Sequence, residues 1–206
     1  MMLFHEFQKS FVSQGYFTPD QVLNWQTNFD KNNFSRWVKT GLIIKLRNGY
    51  YTFPENLSNP NINFFLANRI YRPSYISLHS ALSFYGLIPE SITQTISVSS
   101  LKTMVFQNPA GTFSYKSIKP SLMFGFDHLP FINDKTILLA KPEKAILDLL
   151  YLYPFYRSEN DMTDLRLDRF LIEETINKEI LQSYASKFKN IELEKRLKKM
   201  TIVYAI

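Results

Sequence analysis

A chain of 206 residues suits one large domain or two small ones, and a hydrophobic content of 45% with 16% aromatic residues excludes disorder by composition. Cysteine is absent, which removes disulfide frameworks, thiolate metal sites and cysteine nucleophiles together. The net charge of +6 and the pI near 9.3 lean toward polyanionic partners.

At the N-terminus, His5, Glu6 and Lys9 interrupt the apolar stretch that a signal peptide needs, and no apolar run approaches the ~20 residues that span a bilayer. A soluble, cytoplasmic protein with no membrane partner is expected. Helical spacing of Leu3, Phe4, Phe7 and Phe11 predicts a first helix over Leu3–Gln14, with Gly15 as its stop. Thr18 suits the cap of a second helix, Pro19 its first position, and Gln21 closes a capping box, leaving Val22, Leu23 and Trp25 for the buried side. A third helix is expected from Asp30 to Thr40, with Gly41 after it.

On that third helix Phe34, Trp37 and Val38 share one face, which must be core. The opposite face carries Asn32, Ser35, Arg36 and Lys39. Amide, hydroxyl, guanidinium and ammonium groups read base edges and hold phosphates, though the same groups also make an ordinary solvated face. A hairpin directly after the helix favours DNA. In Leu42–Phe53, the pair Asn48-Gly49 supplies a two-residue type I′ turn. That register sets Arg47 opposite Tyr50, Leu46 opposite Tyr51, Lys45 opposite Thr52 and Ile44 opposite Phe53. Ile44, Leu46, Tyr51 and Phe53 then form an apolar side, and Lys45, Arg47, Tyr50 and Thr52 the other. Three helices and a basic hairpin make a winged helix-turn-helix, with Asn32, Ser35, Arg36, Lys39, Lys45, Arg47 and Asn48 as the DNA-binding candidates.

Pro54–Pro60 reads as a linker, dividing a DNA-binding domain over residues 1–56 from an α+β domain over 58–206. In the second domain a helix is expected from Asn59-Pro60 to about Ile70, and another is capped by Ser77 and stopped at Gly86. Strands are expected over Thr93–Val98, Thr103–Phe106, Thr112–Lys119 and Thr136–Ala140. A helix opened by Pro142 comes next, then a polar gap over Ser158–Thr163 and two helices capped by Asn177 and Asn190. Residues 178–199 hold seven Lys/Arg against three Asp/Glu, a pattern typical of a solvated helix face.

Catalytic signals are poor. His5, His79 and His128 stand far apart, and the six glycines never form a phosphate-cradling cluster, so no catalytic residue, metal or cofactor is assigned. Glu143, Lys144 and Asp148 invite comparison with a nuclease but are read as structural: adjacent Glu143 and Lys144 leave a helix roughly 100° apart.

Two stretches, ANRIYRPSYISLHSALSFYGLIPE (Ala67–Glu90) and AKPEKAILDLLYLYP (Ala140–Pro154), resemble the AbiEi antitoxins of type IV toxin–antitoxin, or abortive infection, systems. The order of a winged helix ending in RNGYY, then this domain, is similar too, and the resemblance covers about residues 1–155. It implies a bacterial repressor that binds the double-stranded operator DNA of its own operon. It also implies a nucleotidyltransferase-like toxin as functional partner, neutralised without a stable complex. By position, the family's recognition helix and wing fall on Asn32, Ser35, Arg36, Lys39, Arg47 and Asn48. Arg72 is a candidate for the antitoxin surface or, equally, a salt bridge fixing the start of the domain. A stand-alone winged-helix regulator and a nuclease-like C-terminal domain remain as alternatives.

Overall fold

The computed structural model describes residues 4–89 and 93–206; Leu3 and Glu90, the ends of one expected helix and one motif, lie outside them. The fold is mixed α+β, with an all-helical start. Helices α1 (Phe4–Phe11), α2 (Pro19–Trp25) and α3 (Asn32–Lys39) lead into the hairpin β1 (Ile44–Arg47) and β2 (Tyr50–Thr52). Thr18 and Gln21 form the expected capping box on α2, and Gly15 ends the first helical segment with φ of 76°. Trp25 departs from expectation: it is 44% exposed, although its ring meets Phe11 edge-on at 5.5 Å.

The hairpin turns at Asn48-Gly49 as expected, but only Gly49 takes a positive φ, 78°. The turn is therefore not the expected type I′, which needs one at Asn48 too. The register also differs. Arg47 pairs with Tyr50 as expected, but a bulge at Leu46 shifts the rest by one residue, setting Lys45 opposite Tyr51 and Ile44 opposite Thr52. Such a bulge re-aims side chains. Leu46 leaves the hairpin's own core and joins the larger of the two hydrophobic cores, and Thr52 turns inward to donate to the Gly15 carbonyl at 2.6 Å. Phe17 bridges Tyr51 through both backbone hydrogen bonds, adding one residue of third strand beyond the expected hairpin.

The expected linker is an ordered 3-10 turn, Pro54–Ser58, whose buried Asn56 donates to Thr52 Oγ1 at 3.2 Å. Beyond it come α4 (Ile62–Ile70), β3 (Ser74–Ile76), α5 (Leu78–Phe84), β4 (Gln94–Ser99), β5 (Met104–Asn108) and β6 (Gly111–Ser117). Then follow β7 (Phe126–Pro130), β8 (Thr136–Ala140) and α6 (Pro142–Leu152). The chain closes with α7 (Glu159–Thr163), α8 (Arg169–Thr175), α9 (Lys178–Phe188) and α10 (Ile191–Tyr204). Asn177 and Asn190 cap α9 and α10 as expected. Ser77 stands at the cap position of α5 but gives its hydroxyl to Asp148 instead.

One six-stranded sheet runs in the order β5-β6-β4-β3-β8-β7. The β3–β8 and β4–β6 pairs are parallel, the others antiparallel. Helix α4 covers one face, where the Tyr115 hydroxyl donates to the Ala67 carbonyl at 2.8 Å. Helix α6 covers the other, where the Tyr75 hydroxyl donates to Asp148 at 2.8 Å. With both faces covered, β3 is buried at every residue, so it shows no alternation. Among the described residues no helix is long and apolar enough to cross a membrane.

Buried tyrosines give the fold an alkaline limit. Burial raises the pKa of Tyr75 and Tyr115 well above 10, and burial, with Asp127 and Glu143 nearby, raises Tyr85 to about 12. Above pH 10 the unfolded chain loses these protons while the folded chain keeps them. Stability is therefore full below pH 10 and falls as pH rises, by ~1.4 kcal/mol per pH unit for each of the fully buried Tyr75 and Tyr115. Urea midpoints between pH 9 and 12 should show this decline, and a flat profile contradicts it.

Candidate nucleic-acid interface

The orientation of α3 is set by aromatic packing. Trp37 lies 4.7 Å from Phe7 and 4.9 Å from Phe4, and Phe34 stacks on Tyr51 at 5.2 Å and 13°. Asp30 Oδ1 accepts the Asn32 N–H at 2.9 Å, securing the helix start. The opposite face is thereby turned to solvent: Asn32, Ser35, Arg36 and Lys39 are all exposed, as the wheel requires. Arg36 is held along the helix by a 2.6 Å bond from its guanidinium to Asn33 Oδ1.

Exposed Lys45 joins this face. Ser35, Lys39 and Lys45 line one shallow hollow of about 240 Å³, floored by Phe34, Val38 and Tyr51. The bulge contributes here, because it places Lys45 across from Tyr51, whose ring stacks on α3. Residues 31–54 contain five Lys/Arg and no Asp/Glu, and the carboxylate just before them, Asp30, is engaged by the Asn32 N–H.

Arg47 and Asn48 lie elsewhere. Arg47 donates to the Ile70 carbonyl at the end of α4, and its guanidinium sits over the rings of Phe106 at 4.9 Å, Tyr50 at 5.6 Å and Tyr71 at 5.7 Å. It is a fastener between the hairpin, α4 and β5. Asn48 is exposed, in a cleft with Leu46, Val105 and Phe106. The same junction includes a 3.0 Å bond from Asn108 Nδ2 to the Leu46 carbonyl, Lys135 on the Gln14 carbonyl, and Phe65 against Tyr16. Two cores thus exist, but they are docked along a polar and aromatic seam. No local pattern announces this seam, since every partner is distant along the chain.

Arg72 is exposed and donates Nε to the Asn68 carbonyl at 3.2 Å, capping the end of α4. Among the described residues it makes no salt bridge.

The carboxylate–lysine stretch resolves into separate tasks. Glu143 accepts the Asn177 N–H at 2.9 Å, at the start of α9. Lys144 and Asp148 face each other one turn apart, both with 0% exposed side chains. Lys144 also donates to the Tyr75 hydroxyl at 2.8 Å, and the Ser77 hydroxyl donates to Asp148 at 2.8 Å. Burial pushes the Lys144 pKa down and that of Asp148 up, while each opposes the other's shift by favouring the charged partner. Gly125 permits the loop before β7 to close over the pair: a Cβ there would meet Tyr184 at 2.8 Å and Lys144 at 3.2 Å. Among the described residues no group of three or more His, Cys, Asp and Glu is placed to hold a metal.

No protein-family model matches the chain, and no curated protein matches it either.

Proposed function

We propose that residues 4–56 form a winged helix-turn-helix and that the protein is a bacterial type IV antitoxin and autorepressor. It binds operator DNA and neutralises a nucleotidyltransferase-like toxin without a stable complex. The observation that carries the DNA reading is the contiguous exposed face of Asn32, Ser35, Arg36, Lys39 and Lys45. Helix α3 supplies the groups for base edges and phosphates, and Lys45 extends them onto the hairpin. Arg47 leaves the contact set, because its guanidinium serves the seam with the sheet domain. The antitoxin part rests on the resemblance of residues 67–90 and 140–154, and Arg72 stays a candidate for that surface through its exposure. Glu143, Lys144 and Asp148 receive no catalytic role: one carboxylate is turned to α9 and the remaining pair is sealed from solvent.

The test separates the two activities in cells. With the chain's own promoter driving a reporter, the Arg36→Ala/Lys39→Ala protein should lose most repression yet still rescue cells expressing the toxin encoded beside it. If repression is retained while the protein is folded, the DNA face is wrong. Should rescue disappear together with repression, neutralisation needs the DNA-binding unit. A neighbouring gene that encodes no toxin leaves the stand-alone regulator.

A further inference from the structure

A cleft of about 1050 Å³ opens between α10 and the segment after α6. Arg157, Lys195, Arg196, Lys198 and Lys199 line it, against the carboxylates of Glu159 and Glu192. One carboxylate is already engaged, since Glu192 accepts from Lys195 at 2.8 Å. Arg157 Nε and Arg196 Nη1 both donate to the Pro154 carbonyl, at 2.7 and 3.4 Å, and Lys199 donates to the Arg157 carbonyl. Carbonyl oxygens orient these cations but bring no full negative charge.

Arg196 is the informative member. It is only 9% exposed, and its buried Nε has no hydrogen-bond partner among the described residues. A buried guanidinium N–H left unpaired is costly and calls for an acceptor. Burial lowers the Arg196 pKa, Glu192 opposes this, and neighbouring Arg157 adds to it by like-charge repulsion. Arg196 lines the cleft, so an anion bound there offsets the repulsion from Arg157, although the Nε itself is closed to solvent.

The other walls say which anion. Tyr151, Pro154 and the 61% exposed Ile202 give an apolar side that inorganic phosphate has no use for. The volume is that of a site for an organic ligand. Two carboxylates in the cleft repel a continuous polyanion, yet accept well from sugar hydroxyls or a base amino group.

We propose that this cleft binds a phosphate-bearing small molecule of nucleotide size. Its phosphates lie on Arg157, Arg196, Lys198 and Lys199, and its base lies against Tyr151 and Ile202. The site is separate from the α3 face, so its occupancy is independent of DNA.

Isothermal titration of the full chain with ATP, pyrophosphate, adenosine and a single-stranded oligonucleotide tests this. ATP should bind, with pyrophosphate and adenosine each weaker by about tenfold or more, because each carries half of the contacts. Lys198→Gln/Lys199→Gln, at exposed positions, should weaken ATP by about tenfold or more with an unchanged melting curve. Arg36→Ala should leave ATP binding untouched. Absence of ATP binding, equal affinity for ATP and pyrophosphate, or full affinity in the double variant overturns the proposal. Binding of the oligonucleotide alone, lost in the same double variant, makes the cleft a nucleic-acid track instead.

Discussion

Lys144→Met should cost the protein ~3–5 kcal/mol of stability, much of what a domain this size possesses. Methionine matches the lysine stem in bulk and suits the surrounding Phe124 and Phe188 rings, which lie 5.1 and 5.0 Å from the ammonium. Packing is therefore little changed. The cost comes from Asp148, which keeps only the Tyr75 and Ser77 hydroxyls as donors in a site closed to water. The carboxylate must then protonate or stay charged without its counter-ion. Lys144→Met/Asp148→Asn removes the charge yet leaves an amide oxygen for the two hydroxyls, so it should recover part of the loss. Urea midpoints of the wild type, the single and the double variant decide the matter. A single-variant cost below ~1 kcal/mol, or a double variant worse than the single, contradicts the pairing of these two charges.

Phe7→Ala should be as damaging, at ~3–5 kcal/mol, and should also remove DNA binding. Phe7 is 0% exposed and meets the rings of Trp37 at 4.7 Å, Phe17 at 5.1 Å, Phe11 at 5.2 Å and Phe53 at 5.6 Å. It thus joins α1, α3 and the strand end around one centre. Removing it opens a cavity among rings that cannot collapse to fill it, and it frees Trp37, which fixes the outward face of α3. Phe155→Ala is the matched control: at 60% exposure it should change stability by less than ~0.5 kcal/mol. Chemical denaturation measures both, and a Phe7→Ala cost near that of the control contradicts a small core centred on Phe7.

The parts legible in the sequence are those whose chemistry is local. Capping at Thr18, Asn177 and Asn190, the place of the Asn48-Gly49 turn (though not its type) and the two faces of α3 each depend on neighbours within four residues. What stayed hidden is non-local or too short to repeat. Strand β3 has three residues, all buried, so it offers neither length nor alternation. Strand β7 is an edge strand ending at Pro130, which has no N–H to donate and so argues against a strand anywhere but at an edge. Helix α7 hides in a polar stretch that reads as loop, although Ser158 and Asp161 cap it. At the candidate site, the helix face was readable because burial of Phe34 and Trp37 dictates it. The contacts of Arg47 were not readable because its partners, Ile70 and Phe106, lie far along the chain. The Lys144–Asp148 pair obeys the same rule, since nothing in PEKAILD tells a buried turn from an exposed one.

Binding of operator DNA by the α3 face and Lys45 is tested most directly by a fluorescence-anisotropy titration. The full chain is titrated with the duplex upstream of its own gene and with a shuffled duplex, between about 50 and 200 mM salt. The upstream duplex should bind more tightly, with affinity falling log-linearly in salt. Lys45→Ala should flatten that slope by about one unit, and Arg36→Ala should cost ~1–3 kcal/mol of specific binding if it reads a base edge. Equal affinity for the two duplexes, or full affinity in folded Arg36→Ala, Lys39→Ala and Lys45→Ala proteins, would contradict this assignment of the DNA face.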